Sequence, residues 1–187
     1  MIRKNENIFE KTNLTPLGIE LLKFLARNPG KEFYITELAK LVNGSIGGSY
    51  AALKKLYKMN LIDRRRSGYN LYYKVNEKNP ALKYFKLFVN IQELNGLVNR
   101  IKGRCNKIVL FGSCATGEDT IESDIDLFIV AENSKRVKDI IKIKYLNQRE
   151  LKPIVVSPHE LIQLKSKDKA FYTEVNKGIT LWRSSNE

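Results

Sequence analysis

Cysteine is scarce in this chain of 187 residues. Its two cysteines, Cys105 and Cys114, form no disulfide framework and lack metal-ligand spacing. Thiol-based zinc sites are thereby excluded, and a reducing, cytoplasmic setting is the expectation. Cys114 reads as a small packing residue rather than a nucleophile. Histidine is scarcer still. The single one, His159, lies in Ser157-Pro158-His159-Glu160, which has the pattern of a helix-capping box and so accounts for it as a helix-start surface residue. No apolar run reaches the length of a membrane span, and the first residues are polar rather than signal-like, so no membrane partner is expected. Acidic residues are in deficit, 20 against 33 basic ones, for a net charge of +13.

What is present is a 43% hydrophobic composition, enough for a core, in a length that suits one or two domains. The basic excess is uneven. Residues 1–78 carry a balance of +8, residues 79–103 of +3 and residues 104–187 of only +2. Excess positive charge gathered in one part of a chain points to a polyanionic partner, usually nucleic acid, although solubility alone would also account for it.

Residues 1–13 read as a polar leader. Thr15-Pro16 gives an N-cap and first-turn signal, followed by Leu17, Leu21, Leu22 and Leu25 at helical spacing, and Asn28-Pro29-Gly30 stops the helix. Tyr34-Ile35 reads as a very short strand. Thr36 reads as the cap of a second helix, Glu37 to Val42, and Asn43-Gly44 as a turn. A third helix runs from Ser45 or Ser49 to Asn60, with Ala52, Leu53, Leu56 and Met59 inward. Leu61-Ile62-Asp63 begins a strand, Arg64-Arg65-Arg66-Ser67-Gly68 a basic turn region, and Leu71 to Val75 the returning strand. This order resembles the winged helix-turn-helix of bacterial and archaeal regulators. The resemblance implies DNA as a partner: Ser45, Ser49, Tyr50 and Lys54 from the third helix at the major groove, and Arg64, Arg65 and Arg66 from the wing. Gly47 and Gly48 either let backbone approach phosphate or mark a ragged helix start. A helix begins at Asn79-Pro80 and runs to Gly103. Its stripe of Leu82, Phe85, Val89, Leu94, Val98 and Ile101 packs within the chain by default, or on a second copy in a homodimer.

The most informative stretch is Val109 to Val130. Lys107 to Phe111 reads as a buried strand that breaks at Gly112-Ser113. Leu127 to Val130 reads as another, preceded by Asp124-Ile125-Asp126. Strand residues i and i+2 share a face, so Asp124 and Asp126 point the same way. Two neighbouring carboxylates are costly without a cation, and a hard divalent ion such as Mg²⁺ suits them because it takes oxygen ligands and shares them with phosphates. Gly112 permits close backbone approach, and Ser113 offers a hydroxyl and backbone N–H groups to an anion.

Gly112-Ser113, then Gly117, then Ser123-Asp124-Ile125-Asp126-Leu127 resembles the nucleotidyltransferase family related to DNA polymerase beta, in its minimal form. The resemblance extends over residues 104–183. After the second strand come a helix with Val137, Ile140, Ile141 and Tyr145 inward, a third strand from Leu151 to Val156, a helix from Asp168 to Asn176 and a terminal strand ending at Trp182. The whole reads as an α/β (α+β) chain: a winged helix at 14–78, a linker helix at 79–103 and a nucleotidyltransferase-like mixed sheet with flanking helices at 104–187.

The family implies an NTP, with ATP the first candidate, and Mg²⁺, two ions if the chain is active. Asp124 and Asp126 would ligate the metal, and Gly112 and Ser113 would hold the β- and γ-phosphates. An acceptor hydroxyl would attack the α-phosphorus. Minimal members often act as antitoxins that nucleotidylate a toxin protein, which makes a toxin or another acceptor the implied partner. Two departures stand out. The third carboxylate of active members falls on Ile154, with Glu150 the nearest replacement and Glu118, Asp119 and Glu122 less suited. Cys114 and Thr116 stand where relatives commonly carry arginines. The alternative is a DNA-binding regulator whose second domain binds nucleotide without turnover.

Overall fold

The computed structural model describes residues 14–185; the polar leader lies outside the described residues. The chain divides into two compact units, one up to Leu82 and one from Lys83 onward.

The first unit runs α1 (Pro16–Ala26), β1 (Phe33–Tyr34), α2 (Ile35–Leu41), α3 (Ile46–Lys58), β2 (Ile62–Ser67) and β3 (Asn70–Val75). Thr15 caps α1, its hydroxyl accepting from the Gly18 amide at 3.2 Å, and Pro16 opens the first turn. Leu21, Leu22, Leu25, Leu38, Leu53, Leu56, Ile62 and Tyr73 form the buried interior. The sheet is antiparallel in the order β1-β3-β2. Three helices followed by a β-hairpin make this a winged helix-turn-helix. Two local readings are corrected. Thr36 is not a cap: α2 starts at Ile35, directly after strand residue Tyr34, which makes no side-chain cap bond. Arg64, Arg65 and Arg66 are not in the turn but in β2, paired with Tyr73, Tyr72 and Leu71, and the turn falls at Gly68-Tyr69. Gly47 and Gly48 both lie within α3. Gly48 is a packing requirement, since a Cβ there would sit 2.8 Å from the Ser45 hydroxyl and 3.1 Å from Leu17.

The second unit is built on α4 (Ala81–Ile101), then β4 (Lys107–Phe111), the single turn α5 (Ser113–Thr116), β5 (Ile125–Val130), α6 (Ser134–Ile140), β6 (Tyr145–Leu146), β7 (Arg149–Val156), α7 (Pro158–Lys167), α8 (Lys169–Asn176) and β8 (Ile179–Arg183). Its mixed sheet has the order β6-β7-β5-β4-β8, with β5 and β7 parallel and the other pairs antiparallel. One core cluster gathers Leu94, Leu97, Val98 and Ile101 of α4 against Ile108, Leu110, Ile125, Leu127 and Ile129. The other gathers Val109, Phe111, Phe128, Val130 and Val175, with Phe171 stacked edge-on against Phe111 and Phe128. The alternation of β4 and β5 thus fills both faces, as their continuous apolar runs require. Tyr145 does not belong to an inward helical face. The helix ends at Ile140, and Tyr145 lies exposed in the short strand β6, paired with Glu150. At α7 the capping box is complete: the Ser157 hydroxyl accepts from the Glu160 amide, and the Glu160 carboxylate accepts from the Ser157 amide.

Candidate functional site

β5 presents Asp126 on the face of the sheet that carries Phe128 and the second core cluster, at the rim where that cluster ends. Asp124 precedes the strand and shares its direction. Gly112 follows β4 with φ +66°, in a region where only glycine is comfortable. A Cβ on it would lie 2.6 Å from Asp126 Oδ2. The glycine is therefore needed twice: for its backbone angles and to let the carboxylate lie against the main chain. Asp126 is held above the usual carboxylate range, first by burial, then by the neighbouring charge of Asp124, with Glu174 adding and Lys152 opposing.

The α5 turn is too short to act through a helix dipole. What it offers is local: the Gly112 carbonyl accepts from the Ala115 and Thr116 amides, and Gly117 closes the turn in the left-handed region. Ser113 stays partly open at the mouth of this loop.

No local pattern in the chain signals the residue that faces the aspartates. In the parallel pairing of β5 with β7, Asp126 stands opposite Lys152. The Lys152 Nζ donates to Asp124 Oδ2 at 2.5 Å, and this bond raises the pKa of the ammonium. Ile154, two residues on and on the same face, is 39% exposed and opposite Phe128. Glu150 shares that face on the other side of Lys152, but it does not complete the aspartate pair: among the described residues no three acidic, histidine or cysteine side chains gather closely enough to hold a metal. Two carboxylates, one of them open to solvent, suit a single Mg²⁺ that draws its remaining ligands from phosphates and water. A second ion would need a further carboxylate, and Ile154 on the same face supplies none.

Beneath the loop lies a buried polar network. Arg149 donates through Nη1 to Asp119 Oδ2 at 3.0 Å and to Cys114 Sγ at 3.3 Å. Through Nη2 it reaches Asn90 Oδ1 at 3.1 Å and Glu93 Oε2 at 2.9 Å. Asn90 also donates to the Cys114 carbonyl and to Asp119 Oδ1, and Lys86 donates to the Asp119 carbonyl. Asp119 is thus a structural anchor, fully buried and committed to Arg149. Glu118 and Glu122 remain exposed on the loop.

In the first unit, Ser45, Tyr50 and Lys54 lie on the exposed side of α3, continued by Tyr57, with the Arg64 guanidinium 4.8 Å over the Tyr57 ring. Ser49 does not belong to this surface. It is 0% exposed and packed inward, so its hydroxyl cannot reach a groove. The arginines also divide. Arg65 stacks 4.9 Å over Tyr72 and donates to Glu32 at 2.6 and 3.0 Å, while Arg66 donates to the Gly68 carbonyl at 3.1 Å. The Arg65 bond holds the Glu32 carboxyl below its usual range.

A nucleotidyltransferase-type loop, strand and aspartate pair on a mixed sheet define the class of the second unit. The family model described as polymerase beta, nucleotidyltransferase, matches residues 92–187, and the chain belongs to this family. Over 39 residues the chain is 51% identical to the "Putative protein adenylyltransferase" of Methanocaldococcus jannaschii. That match covers 21% of this chain and 39% of the relative, so the chain spans about two-fifths of the length of the curated protein it matches. A solved "putative nucleotidyltransferase" from Sulfolobus solfataricus aligns over 59% of this chain and 95% of its own, at 15% identity and a TM-score of 0.39. NolR from Sinorhizobium fredii aligns over 48% of this chain and 81% of its own, at 22% identity and a TM-score of 0.36. Among the described residues, no helix is long and apolar enough to cross a membrane.

Proposed function

We propose that this protein transfers a nucleoside monophosphate, from ATP in the first instance, to an acceptor hydroxyl, and that its winged helix binds DNA. The observation that carries the first part is the close fit of Gly112 against Asp126. A bare main chain at that point brings the Asp126 carboxylate directly against the Gly112-Ser113 turn, so that the proposed metal ligand and the proposed phosphate-binding turn adjoin. The printed name of the Methanocaldococcus relative, a protein adenylyltransferase, supports a protein hydroxyl as acceptor. A toxin protein answered by this chain as antitoxin is one such acceptor.

Asp124 and Asp126 would hold Mg²⁺, which supplies charge neutralisation at the triphosphate and orients it for in-line displacement. Gly112 and Ser113 would position the β- and γ-phosphates through backbone N–H groups and the hydroxyl. The acceptor oxygen forms its bond to the α-phosphorus as the bond to the pyrophosphate oxygen breaks. With Ile154 at the third position, β7 supplies no base there, and the acceptor proton passes to water at the open rim. That isoleucine favours a second reading, a DNA-binding regulator whose second unit binds nucleotide without turning it over.

Calorimetric titration of ATP, CTP, GTP and UTP, with and without Mg²⁺, against wild type and Asp124→Asn tests the site. Heat that requires both Mg²⁺ and Asp124 is the expected result; no heat with any nucleotide would sink the reading. Transfer of label from α-labelled ATP to a protein acceptor then separates the two readings. Asp126→Asn should abolish transfer and leave DNA binding intact. For the DNA part, replacing Arg64, Arg65 and Arg66 with alanine should flatten the salt dependence of DNA affinity, by about 0.9 in log–log slope for each phosphate no longer neutralised. An unchanged slope would remove the wing from the interface.

A further inference from the structure

Lys152 places a positive charge where a metal ion would sit. Its Nζ lies 2.5 Å from Asp124 Oδ2, and its position on β7 is directly opposite Asp126. Mg²⁺ binds a carboxylate oxygen at about 2.0–2.1 Å and brings a tight shell of oxygen ligands with it. An ammonium hydrogen-bonded to the same oxygen occupies that approach and repels the incoming ion. The next position on the same face, Ile154, contributes no compensating carboxylate. We propose that Lys152 shuts the aspartate pair to free divalent cations and yields only to a cation that arrives with a triphosphate. This rests on the reading of Asp124 and Asp126 as a metal–nucleotide site.

The exchange is one-sided for a physical reason. A free Mg²⁺ that displaces the ammonium costs Lys152 its hydrogen bond to Asp124 and leaves it only the longer-range attraction of Asp126 and Glu150. A triphosphate supplies anionic oxygens beside the pair, so Lys152 can release Asp124 and keep a partner. The side chain has room to make that move: it is 53% exposed and sits on a flexible four-carbon stem above a strand held in register. The aspartate pair is therefore a site for metal and nucleotide together, with little affinity for metal alone.

The test is Mn²⁺ binding measured by equilibrium dialysis, as the excess of metal on the protein side, so that metal carried by free analogue on both sides cancels. The full chain is used as wild type, Lys152→Met, Lys152→Arg and Asp124→Asn, each with and without a non-hydrolysable ATP analogue. Wild type and Lys152→Arg should bind Mn²⁺ only when the analogue is present. Lys152→Met should bind Mn²⁺ alone, at least about fivefold more tightly than wild type, from the removal of one nearby like charge. Asp124→Asn should bind it under neither condition. Equal affinity of wild type and Lys152→Met for Mn²⁺ alone would overturn the proposal while leaving the site reading in place. No Mn²⁺ binding by any variant, even with the analogue, would overturn both.

Discussion

Two ion pairs sit three residues apart on β7 and point to opposite faces of the sheet. Arg149 pairs with Asp119 and Glu93 in the interior, with side-chain exposures of 1% for Arg149 and 0% for Asp119. Lys152 pairs with Asp124 at the surface, at 53% and 34%. The buried cation has a fixed set of acceptors at 2.9–3.3 Å on α4, on the loop and on α5. The open one has a single short bond. Desolvating a charge costs several kcal/mol, so the inner pair persists only because nearly every polar atom around it is matched. It fastens the 117–124 loop and cannot trade partners. The outer pair adds little to folding and can trade freely. One strand thus supplies both the anchor that holds the aspartate loop still and the group that leaves when a ligand arrives.

The largest effect expected from breaking this contrast is at Arg149. Arg149→Met would remove the cation that Asp119 and Glu93 share and should cost about 3–5 kcal/mol, read from urea denaturation of the full chain. A change under about 1 kcal/mol would mean the network is not an anchor. Lys152→Met, by contrast, should leave the denaturation midpoint where it is. Gly112→Ala comes next, at about 1–3 kcal/mol for the forbidden backbone angles. Its effect on nucleotide affinity should exceed its effect on stability, because the new methyl group displaces Asp126.

A smaller effect tests the electrostatics of the open side. Burial raises the Asp126 pKa in the folded state, so between its ordinary value of 3.8 and its folded value the native chain binds more protons than the unfolded one. Its contribution to stability therefore falls as pH rises through that window. Asp126→Asn should be more stable than wild type at pH 7, and the gain should vanish below pH 3.8. A gain that persists in acid would point to packing instead of charge. The smallest signal is chemical. The Cys105 thiol is buried, donates to the Ile101 carbonyl and is pushed up to about 11, and Cys114 is enclosed by the Arg149 network. Neither should react with a thiol reagent at pH 8 in wild type or Lys152→Met, whereas Arg149→Met should expose Cys114 to labelling.

The parts of the molecule that can be read from the chain are those whose cause is local. Thr15-Pro16 and Ser157 through Glu160 announce their helices because a cap and its amide lie within three residues of each other. Gly112 and the Asp124–Asp126 pair are legible for the same reason: a turn angle and a strand alternation need no distant partner. Arg149 is invisible at that level because its meaning depends on Asp119, 30 residues away, and on Glu93, farther still. Lys152 escapes notice because only the parallel register sets it against Asp126. Three successive arginines carry no alternation of type, so nothing in them distinguishes a strand from a turn. Ser49 has the character of a surface hydroxyl, and only the packing of α3 shows that it faces inward.

The short strand β8 has a consequence beyond completing the sheet. It runs along β4 and takes up the outward N–H and C=O groups of Lys107 to Leu110, a nearly unbroken apolar segment. Cleavage at Gly178, just before β8, would bare that segment as a sticky template for other chains. Ile179 to Arg183 therefore put a short, half-exposed strand at the sheet edge in place of the apolar β4, and a protease nick there would leave β4 itself as the edge.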